Sequence, residues 1–409
     1  MRIGLLLQRA TDLKWAGPFA EEALGAKHQV TLFALEGQGS AKGYLSLSEH
    51  DCGELLQAGA HYAALKTEQI DSHTQLTQQD ALLMLEGFHT QQANLEAWRS
   101  LRAKGPRLIS LPHFFEICKR PLEALDDFDA TLYVSQYARD LHIQIQGEGA
   151  QKSQPALGSP MFDQLKRVSR EQSRKEIGIA KQERVVLLMA PVILPTTPWR
   201  FHVWRDASRM TRLKDAFRAR EFAFLGEILF GHTFRQLFEA IAVFCQRNEA
   251  RLIVKSRGKQ KNLDFVAESS DFFFDGLDDE YFPLFSSYKL MAAADLCITV
   301  NSMAAAEAVA LERACVNIYV PYHDRAAAST PQKQAYNREL LGGAPASIMN
   351  YAGAVRQVDR RKALKFFGGD WEQLSFTPGS SEEYARHFLG IEPGGSASRR
   401  ILDYMEAAA

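Results

Sequence analysis

Cysteine is scarce in this chain and never arranged for chemistry. The five residues Cys52, Cys118, Cys245, Cys297 and Cys315 are odd in number, widely spaced and without a C-x-x-C pair. That pattern argues against a disulfide framework and a zinc knot, and predicts reduced thiols and a cytoplasmic setting. An excess of charge is missing too: 48 Lys and Arg face 49 Asp and Glu, for a formal net charge of -1. No overall field draws the protein onto nucleic acid, so nucleic acid is not an expected partner. Apolar runs of the roughly 18 residues needed to cross a bilayer are absent, since Val185 to Leu194 is interrupted by Pro191. Membrane contact is expected to be peripheral at most, on the inner surface. The opening Met1-Arg2-Ile3-Gly4-Leu5-Leu6-Leu7-Gln8 is too short in its apolar part for a signal peptide and reads as a first strand. A metal site is not expected, because Asp127-Phe128-Asp129 leads straight into a strand and reads as a polar turn.

What is present is ordinary globular material in quantity. Hydrophobic residues make up 46% and charged residues 24% of 409 positions, more chain than one hydrophobic core normally supports, so two domains are expected. Short apolar runs alternate with helical patterns: Ile3 to Leu7, Gln29 to Leu35, Ala81 to Leu85, Arg107 to Leu111 and Ala130 to Val134 read as strands. A helix is expected to start near Pro18 and end by Gly25, with others at about 90–104 and 136–144. Gln151 to Pro160, rich in Ser, Pro and Gly, reads as a linker. Beyond it the alternation restarts with strands Val185 to Met189, Arg251 to Lys255, Leu296 to Val300 and Val316 to Val320, between helices at Ser169 to Lys175, Phe234 to Arg247, Tyr288 to Ala294 and Met303 to Glu312. The class is α/β, as two Rossmann-like doubly wound domains facing across a cleft. Expected domains are 1–152 and 153–380, followed by a helical segment, 381–409, that packs back on the N-terminal domain.

Open parallel sheets bind ligands beyond the carboxyl ends of their strands, so strand exits are the places to search. Asn301-Ser302-Met303 leaves one strand and enters a helix carrying Glu307 in its first turn, a start suited to a phosphate. The plainer alternative is a Ser cap with a Glu complementing the helix dipole. Lys255 ends another strand and leads into Ser256-Arg257-Gly258-Lys259-Gln260-Lys261, which fits either a diphosphate or a solvated basic turn. Ala190-Pro191 and then Thr196-Thr197-Pro198-Trp199-Arg200 follow a third strand. A general base is expected from His113 or Glu86, each just past a strand of the N-terminal half. Gly17 is placed either for close approach of a ligand or for packing. From Trp199 to Phe224, Arg200, Arg205, Arg209, Arg212, Lys214, Arg218 and Arg220 interleave with Trp204, Leu213 and Phe217. That stretch fits an anionic surface, or a solvated helix with an apolar stripe.

Taken in order, Gly158-Ser159-Pro160-Met161-Phe162-Asp163, Ile177-Gly178-Ile179, Val185 to Met189, Ala190-Pro191, Trp199-Arg200, Lys255, and Ala293-Ala294-Asp295-Leu296-Cys297-Ile298-Thr299 with Ser302 and Glu307 resemble the GT-B glycosyltransferases. The likeness, over about residues 105–320, is greatest to the branch of CDP-glycerol glycerophosphotransferases and capsule-polysaccharide transferases. It implies that Asn301, Ser302, Met303, Glu307, Lys255 and Arg257 hold a donor nucleotide, with phosphate and ribose roles for Ser302 and Glu307. Two departures are visible: the His that follows the family's Lys is replaced by Ser256-Arg257-Gly258, and its Trp-His-Gly segment becomes Pro112-His113-Phe114. The implied activity is metal-independent transfer of a sugar from a UDP- or CDP/CMP-linked donor to a glycan or lipid-linked acceptor, as in bacterial surface polysaccharide synthesis. No bound cofactor is implied beyond the donor itself. A sugar-nucleotide epimerase of the same fold and a non-catalytic nucleotide-sugar-binding scaffold are the alternatives.

Overall fold

The computed structural model describes residues 1–35, 47–66, 70, 72–85, 95–111, 115, 127–146, 155–191, 208–219, 225–256, 264–319, 335, 339–340, 346–374, 377 and 379–407. These separate into two compact units, Met1–Arg167 with Glu280–Phe285 and Ala385–Ala409, and Val168–Asp279 with Ser286–Tyr384. No helix among the described residues is long and apolar enough to cross a membrane.

In the first unit, strands β1 (Arg2–Leu7), β2 (Gln29–Leu35), β3 (His61–Leu65), β4 (Ala81–Leu85), β5 (Arg107–Leu111) and β6 (Ala130–Thr131) form one sheet in the order β3-β2-β1-β4-β5-β6. Every pairing is parallel. Central strands buried on both faces must be apolar almost throughout, and β4 (ALLML) is buried at every position.

Helix α1 (Leu13–Gly25) begins five residues before Pro18, so the proline lies inside it rather than at its start. A proline there cannot donate to the carbonyl four residues back. That carbonyl, Lys14 O, instead accepts a hydrogen bond from Gln164 Nε2 at 2.9 Å. The same amide donates to Tyr281 O at 3.1 Å and its Oε1 accepts from Phe285 N at 2.8 Å. One buried glutamine therefore repairs the helix and fastens the 280–285 segment beside it.

Helix α2 (Leu95–Ala103) presents Arg99 and Arg102 to Asp127 and Asp129, at 2.7 Å and 2.9 Å. Helix α3 (Gln136–Gln146) follows β6. The last helices of the chain are Ser380–Leu389 and Ala397–Ala407. Asp163 gathers the start of the second of these, accepting from Ala397 N, Ser398 N, Ser396 Oγ and Ser398 Oγ at 2.6–3.0 Å. A carboxylate at a helix start satisfies orphan N–H groups and complements the helix dipole.

The second unit repeats the plan. Strands β7 (Arg184–Met189), β8 (Ala250–Lys255), β9 (Phe272–Phe274), β10 (Leu296–Val300), β11 (Ala314–Tyr319) and β12 (Val355–Asp359) run in the order β12-β11-β10-β7-β8-β9, again all parallel. Helix α4 (Arg170–Glu176) precedes β7, α5 (Arg209–Ala219) follows it, and α6 (Phe234–Arg247) precedes β8. Helix α7 (Ser286–Ala293) precedes β10, α8 (Ala304–Ala310) connects β10 to β11, and α9 (Ala363–Phe367) follows β12. One face of the sheet buries Val186, Leu188, Ile298, Val316 and Ile318 against Phe234, Phe238, Ile241 and Phe244 of α6 and Phe367 of α9.

Both sheets thus have the Rossmann order, in which the chain reverses its direction of travel across the sheet after three strands. Strands β3, β9 and β12 had no counterpart among the sequence expectations, and all three lie at sheet edges.

Candidate functional site

Strand order fixes where a ligand crevice opens. In the second sheet the reversal falls between β7 and β10, whose carboxyl ends release Ala190-Pro191 and Asn301-Ser302-Met303. At the β10 exit Asn301 takes a left-handed conformation, with φ of 41°, tolerated by Asn better than by most residues. Its N–H donates to Ile318 O at 3.3 Å, so the turn stays tied to β11. Ser302 is nearly buried and its Oγ accepts from Ala304 N at 3.3 Å, while its carbonyl accepts from Ala305 N at 3.0 Å. The hydroxyl therefore accepts from the first residue of the helix, whose N-cap is Met303, and that bond and a ligand contact are compatible because an oxygen has two lone pairs.

Glu307, in the first turn of α8, is only 5% exposed. Its charge reaches the fully buried Tyr288 of α7, whose phenol is held well above its ordinary pKa, first by burial and then by Glu307. Beneath the turn, Thr299 and Asn317 are register partners on β10 and β11, both fully buried, with Thr299 Oγ1 donating to Asn317 Oδ1 at 3.1 Å. The Asn317 Nδ2 has no hydrogen-bond partner among the described residues. Tyr288, Thr299 and Asn317 were not anticipated from sequence. For Thr299 and Asn317, a polar residue near the end of an apolar strand was the available signal.

Lys255 is placed differently from a waiting cation. It is 3% exposed, and its Nζ lies 2.6 Å from Asp279 Oδ2, donates to Ser256 O at 3.4 Å, and sits 5.4 Å above the Phe274 ring. Ser256 Oγ donates to Asp275 Oδ1 at 3.2 Å and accepts from Gly276 N at 3.0 Å, so the β8 exit is knitted to the β9 exit.

Glu86, His113, Thr197, Arg200 and Arg257 lie outside the described residues, as does the rest of the basic loop. In the first sheet the reversal falls between β1 and β4, and the β1 exit holds a carboxylate that sequence reading missed. Asp12, 2% exposed, accepts from Gln8 N at 2.7 Å, Arg9 N at 3.1 Å and Arg9 Nη2 at 3.3 Å. Burial raises its pKa, against the opposing pull of Arg9 and the backbone donors.

Gly17, the remaining sequence candidate, packs against Phe282 of its own unit. A Cβ built there would lie 2.0 Å from Phe282 Cδ2, so the missing side chain makes room for the 280–285 segment. Gly17→Ala should destabilise by about 1 kcal/mol net, since overpacking costs more than the better helix former returns. Urea denaturation measures it, and a stabilised variant would mean that Phe282 moves away freely.

Two doubly wound parallel sheets of Rossmann order in one chain are the GT-B fold. No family model matches the sequence, and no curated protein matches it. Solved structures do: a UDP-GlcNAc 2-epimerase from Neisseria meningitidis, determined bound to UDP-GlcNAc, at TM-score 0.56 and 10% identity over 100% of both chains. Similar too are MurG of Acinetobacter baumannii, at TM-score 0.51 and 10% identity over 99% of both chains, and the wall teichoic acid polymerase TagF, at TM-score 0.55 and 10% identity over 100% of this chain and 88% of that one.

Proposed function

We propose that the protein is a glycosyltransferase that moves a sugar from a nucleotide-sugar donor to a glycan or lipid-linked acceptor, with the nucleotide at the carboxyl edge of the second sheet. The observation that carries this reading is the strand reversal between β7 and β10, which sets the Asn301-Ser302-Met303 turn and Glu307 where sheets of this order take nucleotides. Ser302 and the turn's N–H groups receive phosphate oxygens, and Glu307 accepts hydrogen bonds from ribose hydroxyls. Arg257 offsets charge developing on the departing diphosphate, and His113 or Glu86 removes the acceptor proton. Lys255, ion-paired with Asp279 at the end of β8, joins Arg257 in offsetting that charge. No metal and no resident cofactor enters this scheme. The full-length likeness to a UDP-GlcNAc 2-epimerase supports a second reading, epimerisation of the donor sugar without an acceptor.

Thermal-shift screening against UDP-, CDP-, GDP- and CMP-linked sugars tests the site. A true donor at 100 times its Kd adds about 2.7 kcal/mol of stability, and no shift with any of them would overturn the reading. Exchange of sugar-ring hydrogen with deuterated solvent in the absence of acceptor would favour the epimerase.

Peripheral membrane contact belongs to the same proposal. On α5, Met210 and Phe217 are 62% and 57% exposed, and on the following helix Phe230 is 74% exposed. Arg209, Lys214 and Arg218 stand exposed among them, whereas Arg212 turns inward at 3% exposure. Apolar side chains flanked by cations suit an anionic lipid surface. Co-sedimentation with phosphatidylglycerol vesicles is expected at low salt and should fall as salt rises; no binding at low salt removes this contact.

A further inference from the structure

A cavity of about 540 Å³ opens within the first unit, a size ordinary for small-molecule sites. Its walls carry Gln136, Tyr137 and Asp140 of α3, Arg386 and His387 of the Ser380–Leu389 helix, and Arg400 of the Ala397–Ala407 helix. Local packing holds these groups in place. Arg400 Nε donates to Leu157 O and its Nη2 to Gly390 O, both at 3.0 Å. A Cβ at Gly158 would lie 2.6 Å from Nη2, and one at Gly395 2.8 Å from Nη1, so glycines make the room that the guanidinium group occupies. Its Nη1 has no hydrogen-bond partner among the described residues. Gln136 Nε2 donates to Asp140 Oδ1 at 2.7 Å, one helical turn along, which leaves Gln136 Oε1 and Asp140 Oδ2 as acceptors. The half-buried Tyr137 ring is wedged against Phe115 at 5.8 Å, Phe388 at 4.8 Å and His387 at 5.0 Å, a rigid aromatic surface.

Charges of both signs line this cavity without meeting one another. Arg386 and Arg400 share it with Asp140 and Glu392, and among the described residues neither arginine lies within ion-pair distance of a carboxylate. A bare anion entering would meet the two carboxylates, and a bare cation the two guanidinium groups. A hydroxyl group donates and accepts at once, so a ligand rich in hydroxyls satisfies both sets together. Tyr137 adds an aromatic face whose partial negative charge suits the C–H side of a pyranose ring. We propose that this cavity binds one sugar unit of a glycan. Arg386 and Arg400 donate to its oxygens, Gln136 and Asp140 accept from its hydroxyls, and Tyr137 packs on its C–H face. The proposal goes beyond the transferase reading, because it stands on residues of the first unit alone and needs no nucleotide.

The test titrates the whole protein with trisaccharides of hexose, 6-deoxyhexose and N-acetylhexosamine units, and separately with inorganic phosphate, read by calorimetry and by saturation transfer to the sugar protons. Saturable binding of at least one trisaccharide is expected. Arg386→Gln and Asp140→Asn should each weaken it about tenfold or more. Both residues are exposed on helices, so the substitutions should leave folding nearly unchanged. Tyr137→Leu keeps apolar packing against Phe115 and Phe388 while removing the ring, and should weaken the same sugar; melting curves confirm that each variant folds. Binding of no trisaccharide, binding of phosphate alone, or sugar affinity unchanged in Arg386→Gln and Asp140→Asn would each overturn the proposal. None of these probes carries a nucleotide, so failure here is distinct from failure of the donor site, which thermal shift with nucleotide-sugars reads separately.

Discussion

Asp279→Ala is expected to cost about 3–5 kcal/mol of folding stability, the penalty of leaving a buried ion-pair partner without its counter-ion. The pair meets that description: Lys255 is 3% exposed, the Asp279 side chain 8%, and their charged atoms lie 2.6 Å apart. Bulk water has little access to replace the lost carboxylate, because Lys255 is buried and its ammonium group lies over the Phe274 ring. Lys255→Met should be costly for the converse reason. The double variant Lys255→Met/Asp279→Leu should recover most of the loss, since apolar pairs of similar volume often match a buried ion pair. Urea denaturation of the three variants decides it. A loss below about 1 kcal/mol for Asp279→Ala would show that the lysine relaxes to solvent rather than resting as a buried, unpaired charge.

How far the structure could be read in advance follows from what each residue's neighbours are in sequence. Strands β1, β2, β4, β5, β7, β8, β10 and β11 are buried on both faces or nearly so, and their apolar runs announce them without any partner in view. Strands β3 (HYAAL) and β12 (VRQVD) carry exposed polar positions, and β9 has three residues, so at the edges the pattern drops below what periodicity can register. Ser302 stands in the turn just past a strand and Glu307 in the first turn of the helix that follows, so both are candidates on the local pattern alone. The partner of Lys255 lies 24 residues away, and nothing in a Lys-Ser-Arg loop reveals that its first cation is already paired. Gly17 and Phe282 are 265 positions apart, and Gln164 reaches 150 positions back to Lys14; such contacts belong to tertiary structure alone. Arg360 reads locally as part of a charged turn, Asp359-Arg360-Arg361-Lys362. Only folding separates it from Arg361, which pairs with Asp359 in solvent.

Glu307→Gln is expected to weaken the preferred nucleotide by about 1–3 kcal/mol, some 5- to 150-fold, while changing stability little. The substitution keeps the shape of a side chain that is 5% exposed and removes only its charge, so a lost affinity reports the charge-assisted bonds to ribose hydroxyls. Glu307 has a competing role, since it stands in the first turn of α8, where a negative charge complements the helix dipole. Its charge also bears on the Tyr288 phenol. Those structural roles predict a different result. Loss of the dipole interaction costs about 0.3–1 kcal/mol of stability and leaves ligand affinity alone. Loss of the repulsion that helps to raise Tyr288 lowers that phenol's pKa toward its ordinary value, again without touching the ligand. Calorimetric titration of wild type and variant with the nucleotide found by thermal shift, run beside urea denaturation of both, separates the two. Weaker binding with near-wild-type stability assigns Glu307 to the ribose. Equal affinities would confine it to the helix, and the nucleotide would then have to be sought at another exit of the β7–β10 edge.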